Sequence, residues 1–124
     1  MDKNSGIKGM DALLAKLPRE YQNWLCFAHI LKFEYKEVFD YDNWENRYHA
    51  ELVLSDDSET YKIRLLLKHI RGEFSIRVRE DIGGLNIAAM TESGCEPFCR
   101  YRVYDFEDHA ISVYCEEIEA ALLE

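Results

Sequence analysis

The sequence predicts an α+β fold, with N-terminal helices packed on a mostly antiparallel sheet of about seven strands that is curled or folded into a sandwich. Apolar residues recur at helical spacing only near the N-terminus, and from about residue 27 they alternate with polar residues, as in half-buried strands. The alternating runs are joined by short polar segments, which are too short for the crossovers that a parallel sheet requires.

The N-terminal region divides into a leader and a helical part. Residues 1–9 are polar and lack periodicity, so we expect a flexible leader followed by a single α+β domain over residues 10–124. The apolar stripe that follows consists of Met10, Leu13, Leu14, Leu17, Tyr21, Trp24 and Leu25. Proline is poorly tolerated inside a helix, so Pro18 predicts two short helices, or one kinked helix, that meet there.

The alternating runs that follow predict the strands. They cover residues 29–38, 48–54, 61–67, 74–78, 85–89, 101–103 and 111–113. Turn-forming residues separate these runs, including 55–59, Arg71–Gly72, Gly83–Gly84 and 105–108, and a loop is predicted over 91–97. Residues 116–124 alternate like a strand but favour helix by propensity, and we expect a strand with a frayed or helical end.

Composition limits the classes of function. The 124 residues are 48% hydrophobic and carry a net charge of −9. Such a charge disfavours direct nucleic-acid binding and favours basic protein partners. No apolar run is long enough to cross a bilayer, and the charged N-terminus is unlike a signal peptide, so we predict a cytoplasmic protein without membrane contact.

The cysteines and histidines form the first candidate site. Cys95, Cys99, His109 and Cys115 could supply the four ligands of a zinc site, which would suit a small metal-dependent hydrolase. The spacing lacks a second closely spaced pair, so we interpret the cysteines as structural free thiols and expect no metal. Cys26 and His29 could form a thiol–imidazole pair, but no glycine-rich turn or helix terminus marks this thiol as activated.

Paired carboxylates are the next candidates for chemistry. Asp56/Asp57 and Glu116/Glu117 could act as an acid and a base, but both pairs are interpreted as solvated turn or edge residues. The sequence contains no phosphate-binding loop, dinucleotide fingerprint, zinc-protease motif or nucleophile elbow. We therefore predict a protein that is not an enzyme and binds no cofactor.

The distribution of charge indicates a binding surface. Residues 61–79 are predominantly basic, which is typical of cross-strand pairing with acidic neighbours, whereas residues 105–124 carry acids and no Lys or Arg. Between Asp40 and Arg47, acids are interleaved with Tyr41 and Trp44, and exposed aromatics with nearby charges are typical of interfaces. Trp44 could alternatively pack into the core. The predicted partner-binding residues are Asp40, Tyr41, Asp42, Trp44 and Glu45, with Asp105, Glu107 and Asp108 as a second acidic edge.

The C-terminal third reads YRVYDFEDHAISVYCEEIE over residues 101–119. This segment resembles a hairpin pattern of small uncharacterised bacterial proteins, some of which resemble immunity proteins that accompany polymorphic or contact-dependent toxins. The resemblance covers residues 70–119 and implies an immunity-type inhibitor; it identifies no partner and assigns no binding residue. Together with the acidic charge, it leads us to predict an inhibitor that binds a basic toxin domain, such as a nuclease. An acidic nucleic-acid mimic and a small metal- or thiol-dependent hydrolase remain the alternatives.

Overall fold

The computed structural model describes Met1 and residues 6–77, 82–89 and 100–123, without the side chains of residues 71–73. A short helix, α1 (Met10–Lys16), is followed by two 3-10 turns at Arg19–Tyr21 and Trp24–Cys26. The strands are β1 (His29–Asp40), β2 (Glu45–Ser55), β3 (Lys62–Ile76), β4 (Leu85–Ala89), β5 (Tyr101–Asp105) and β6 (Ile111–Leu123). No helix in these ranges is long and apolar enough to cross a bilayer.

The strands form one curled, open sheet in the order β1-β2-β3-β6-β5-β4. Each neighbouring pair is antiparallel, which confirms the prediction of an antiparallel sheet with a helical N-terminus. Of the two predicted forms, the curled sheet is the one observed for the described strands. Residues 111–123 are strand throughout, so the predicted helical end is absent as far as Leu123.

The two predicted helical segments differ in kind. The helix α1 buries Met10 and Leu13 and ends at Lys16. The backbone of the next residue, Leu17, is extended, as expected for a residue preceding proline. The side-chain amide of Gln22 donates to the carbonyls of Leu14 (2.9 Å) and Leu17 (3.0 Å), so it satisfies acceptors at the helix end. The second segment forms 3-10 turns, one of which buries Trp24.

The core lies between one face of the sheet and the N-terminal segment. Alternate residues of the central strands are buried, as the period of two predicts. They include Ala50, Leu52 and Leu54 of β2, Ile63, Leu65 and Leu67 of β3, and Ile111, Val113 and Cys115 of β6; in β6 the alternation shifts by one residue after Cys115 and continues at Ile118 and Ala120. These residues form one cluster with Met10, Leu13 and Phe27, so the helices and the sheet share a single core.

The predicted leader is packed at its C-terminal end. Ile7 is 6% exposed, and the Lys8 backbone bonds to the Ile118 carbonyl and the Ala120 N–H of β6. At Gly9 the backbone has φ +85°, and an added Cβ would collide with the Ala120 carbonyl oxygen. The predicted boundary at residue 10 is therefore wrong, because residues 7–9 belong to the domain. Residues 2–5 lie outside the described part of the chain.

The predicted turn at Arg71–Gly72 is wrong. β3 continues through it, and β3 pairs with β6 on both sides of an irregularity between Arg71 and Ser75. Here Arg71 lies opposite Tyr114 and Ser75 opposite Ser112, so β3 contains extra residues and bulges. If the parts of β3 before and after this bulge are counted as two strands, the described residues form seven strand segments, which is the predicted number. The predicted loop at 91–97 lies outside the described residues.

Candidate functional site

The hairpin of β1 and β2 extends beyond the rest of the sheet. Its two strands pair from His29 with Ser55 to Asp40 with Glu45. β2 pairs with β3 only from Ala50 to Ser55, so no described strand pairs with the distal half of the hairpin on its β2 side. Residues 41–44 form the turn at its end. We call Phe39, Tyr41, Asp42, Trp44 and Glu45 the hairpin tip.

Asp40 determines the shape of this turn. Its carboxylate accepts hydrogen bonds from the backbone N–H groups of Asp42 (2.9 Å) and Asn43 (3.3 Å). It also accepts from the Asn43 side-chain amide (2.9 Å) and from Arg47 Nε (2.7 Å). The bond from the Asn43 amide, together with the Arg47 guanidinium and the backbone donors, lowers the pKa of the Asp40 carboxyl to about 2. The sequence predicts Asp40 as a partner-binding residue, but in the structure its carboxylate is engaged by hydrogen bonds within the hairpin.

The aromatic side chains of the hairpin tip are exposed. Tyr41 is 76% and Trp44 is 79% exposed, so Trp44 does not pack into the core. The Phe39 ring lies 4.8 Å from the Tyr41 ring and 6.0 Å from the Trp44 ring, both in edge-to-face geometry. This arrangement is favourable for aromatic pairs, and it holds a contiguous apolar surface in solvent.

The backbone of Trp44 adds a second unusual feature. Its φ is 52°, in the left-handed region that Gly and Asn adopt most readily. A large aromatic residue at this position carries a cost of about 1–2 kcal/mol relative to a relaxed backbone. Since Trp44 is exposed and strained, the stability of the fold does not explain its presence.

Two carboxylates flank the exposed rings. Asp42 is exposed, and Glu45 Oε1 lies 3.1 Å from Arg47 Nη2 with 40% of its side chain exposed. Glu37, an exposed residue of β1, adds a third acid on the same hairpin. The hairpin tip therefore combines aromatic contact area with negative charge, which is the combination predicted from the sequence.

An aromatic row connects the hairpin to the sheet. Tyr35 stacks on Tyr48 across the β1–β2 pair at 5.7 Å, and Tyr35 also lies 5.3 Å from Phe74 of β3. Phe33 continues the row at 6.0 Å from Phe74. Cross-strand aromatic pairs stabilise sheets, so this row fixes the direction of the projecting hairpin. The alternating pattern placed Phe33, Tyr35 and Tyr48 on strands, but not their contact with Phe74 across the sheet.

A polar network on the other face anchors the hairpin to β3 and β6. The Arg47 side chain is half-buried and contacts Asp40, Glu45, Glu116 and His69. His69 Nδ1 lies 2.9 Å from both Arg47 Nη1 and Glu116 Oε2. A ring nitrogen either accepts from the guanidinium or donates to the carboxylate, so its tautomer selects one of the two bonds. Sequence reasoning missed His69, because these partners are brought together only by the sheet.

His49 completes this network. Its Nδ1 accepts a hydrogen bond from the backbone N–H of His69 (3.2 Å), whose φ is 57°. Burial lowers the pKa of His49, and electrostatic interactions with His69, Lys68, Arg47 and Lys36 lower it further. The neutral imidazole is the form that can accept this bond, so the network holds His49 uncharged at neutral pH.

The second acidic edge requires a correction at Asp105. This residue is 1% exposed, so it cannot contact a partner. Its carboxylate accepts hydrogen bonds from five backbone N–H groups, those of Gly83, Gly84, Glu107, Asp108 and Ala110. Burial alone would raise the pKa of Asp105, but these donors outweigh it and bring the pKa to about 2. Asp105 is a structural residue, whereas Glu107 and Asp108 are exposed in the turn that it organises.

The cysteine candidates do not form a site among the described residues. Cys26 Sγ contacts the carbonyl of Glu20 (3.4 Å), whereas His29 Nε2 lies 2.9 Å from Asp57 Oδ1. Cys115 is buried in β6, and His109 is exposed. Cys95 and Cys99 lie outside the described residues. Within the described ranges, no group of three or more His, Cys, Asp or Glu side chains could hold a metal ion.

The members of the two carboxylate pairs, Asp56/Asp57 and Glu116/Glu117, also have different environments and partners. Asp56 is buried and accepts from the Tyr61 N–H (2.8 Å), so its interpretation as solvated is wrong, because it closes the β2–β3 turn. Asp57 is exposed, as expected, and pairs with His29. Glu116 belongs to the Arg47 network, and Glu117 lies 4.0 Å from Lys8.

Comparisons with known proteins add no assignment: no family profile, curated protein or solved structure matches this chain. The geometry itself therefore defines the class of site. The described residues present an exposed aromatic and acidic hairpin tip, which is an arrangement suited to protein recognition.

Proposed function

We propose that this chain is a protein-binding inhibitory module, of the kind that immunity proteins represent, and that it covers a basic surface of a toxin domain in the cytoplasm. The exposed, strained Trp44 beside Tyr41 and Phe39 is the observation that carries this proposal. An inhibitor of this kind blocks access to the partner's active site and needs no catalytic residues of its own.

The aromatic rings supply the affinity in this proposal. Tyr and Trp are enriched among the interface residues that contribute most of the binding energy, and they offer large contact area with few rotatable bonds. The rings at the hairpin tip are already arranged by their contacts with Phe39 and by the turn that Asp40 closes. A preorganised surface loses little conformational entropy on binding. Less of the favourable contact energy is therefore offset, and the affinity is higher.

The acidic residues increase the rate of association in this proposal. A chain with a net charge of −9 attracts a basic partner at long range. Asp42 and Glu45 place part of this charge beside the aromatic contact. Complementary charges of this kind accelerate encounter more than they increase final affinity. The resemblance of residues 70–119 to small bacterial proteins, some of which resemble immunity proteins, supports the same class of partner.

The test uses the product of the open reading frame adjacent to the gene for this chain. Co-expression with the wild-type chain is expected to restore growth of a host in which that product is toxic, and the two purified proteins are expected to bind. Trp44→Asn keeps a residue suited to the left-handed backbone, so it is expected to weaken binding by about 2 kcal/mol without unfolding. Leu25→Ser is the control, because it removes an exposed apolar side chain outside the hairpin.

The charges are tested separately from the rings. Asp42→Lys is expected to slow association, and added salt is expected to reduce the difference from wild type, because salt screens steering. A Trp44→Asn variant that is folded and binds with unchanged affinity would exclude the hairpin tip as the binding site. Absence of both binding and growth rescue by the wild-type chain would contradict the inhibitory assignment for this pair.

A further inference from the structure

β1 forms one edge of the sheet, and it is unusually long for an edge strand. Among the described residues, no strand lies beyond it. It has 12 residues, about twice the length of an average strand, and residues 32–40 pair with β2 without a register shift. An edge strand presents unpaired N–H and C=O groups, and proteins usually keep such edges short. This edge can therefore accept another strand.

The side chains of β1 are also unusually apolar for a free edge. Leu31, Tyr35, Val38 and Phe39 are large apolar residues exposed along this one strand. Tyr35 and Phe39 lie on the face that carries the aromatic row, and Val38 lies on the other face, opposite Arg47. Exposed apolar side chains concentrated on one edge strand indicate an interaction site.

We propose that two copies of this chain associate through β1, in an antiparallel pair whose twofold axis passes through Tyr35. In this register Glu34 lies opposite Lys36 of the second copy, and the axis generates the same pair twice. Tyr35 faces its own counterpart on the aromatic face. Residues 32–38 of each copy pair regularly, and Phe39 falls opposite Leu31 at each end of this stretch. Residues 41–44 lie beyond the paired stretch, so the association does not depend on the proposed inhibitory function.

The charges of β1 select this register over its neighbours. A shift by two residues in one direction places Lys36 opposite Lys36, and in the other direction it places Glu34 opposite Glu34; both arrangements are destabilising. A shift by one residue would oppose the aromatic face to the charged face. Within the described residues, Lys36 makes no ion pair and the ion pair of Glu34 is with the exposed Lys32, at 3.3 Å, so both charges can pair with a second copy.

The test is the oligomeric state of the reduced, full-length chain, measured by sedimentation over a range of concentrations. The wild-type chain is expected to dimerise, and Lys36→Glu or Glu34→Lys is expected to raise the dimer dissociation constant about tenfold, because each places like charges opposite each other twice. The double variant with both changes is expected to return close to the wild-type constant. Lys62→Glu is the matched control, because it makes the same change of charge at an exposed lysine of β3.

A cross-link provides the second measurement. Residues directly opposite in an antiparallel pair have Cβ atoms about 4.5–5.5 Å apart, close to the range that a disulfide spans. Tyr35→Cys is therefore expected to give a disulfide-linked dimer on mild oxidation, whereas the wild-type chain, which controls for the native thiols, is not. A wild-type chain that sediments as a monomer throughout, a dimer that neither charge reversal weakens, or a Tyr35→Cys variant that fails to cross-link would overturn the proposal.

Discussion

Replacing Asp105 with asparagine keeps the size of the side chain but removes the charge that five backbone N–H groups share. The pKa of Asp105 is about 2 in the folded protein, against about 3.9 in an unfolded chain. This difference corresponds to about 2–3 kcal/mol of stability at neutral pH. The asparagine side chain also points its own N–H donors at backbone N–H groups, which cannot accept hydrogen bonds. We therefore expect Asp105→Asn to lower the free energy of unfolding by about 2–4 kcal/mol in all.

The dependence on pH separates the charge from simple packing. Because the folded pKa lies below the unfolded one, the ionised carboxylate favours folding; its contribution is complete above about pH 4 and is lost as the pH falls through about 2. The stability gap between wild type and Asp105→Asn is therefore expected to narrow over this window. Other carboxylates that titrate there, such as Asp40, cancel in the comparison.

Urea unfolding at pH 7 and at pH 3 measures this gap. The fluorescence of Trp24 reports unfolding, because Trp24 is buried whereas Trp44 is already in solvent. Asp108→Asn is the control, since it makes the same change of charge at an exposed residue of the same turn. A loss below 1 kcal/mol at pH 7, or a gap that is unchanged at pH 3, would refute the role assigned to the Asp105 carboxylate.

Three further substitutions test the packing by thermal or urea unfolding. Gly9→Ala is expected to cost about 2 kcal/mol or more, because Gly9 has φ +85° and a Cβ there meets the Ala120 carbonyl; an unchanged melting temperature would contradict this contact. Ile7→Ala is expected to cost about 2–4 kcal/mol, which a freely mobile leader would not show. Trp44→Asn is expected to match or exceed wild-type stability by up to about 1 kcal/mol, and a clear loss would mean that Trp44 supports the fold.

Much of the fold could be predicted because most of the sheet obeys a local rule. Alternation identified the strands, since one face of each central strand meets the core. Alternation did not predict the bulge at Arg71–Gly72, because glycine is compatible with both a turn and a bulge. The pairing of β3 with β6, which the sequence does not show, decides between the two. Ile7 escaped it as well, since a single apolar residue in a polar segment has no periodicity.

The candidate site was predictable in composition but not in the role of each residue. The pattern of acids and aromatics between Asp40 and Arg47 indicated an interface, and the structure places Tyr41 and Trp44 in solvent. Asp105 has the same acidic character, yet two of its donors are the Gly83 and Gly84 N–H groups, more than 20 residues away in the chain. The residues next to Asp105 in the sequence do not indicate such distant donors, so the burial of Asp105 could not be predicted from the sequence.

The closure of the hairpin by Asp40 has a consequence for how binding preference can change. Asp40 holds the turn through the backbone of Asp42 and Asn43 and through Arg47, whereas the exposed rings of Tyr41 and Trp44 add little to that closure. Residue 41 can therefore be exchanged with small effect on folding, and so can residue 44 among side chains that tolerate its left-handed backbone. Paralogues, or a designed library, could diverge at these positions and acquire new targets while retaining one scaffold.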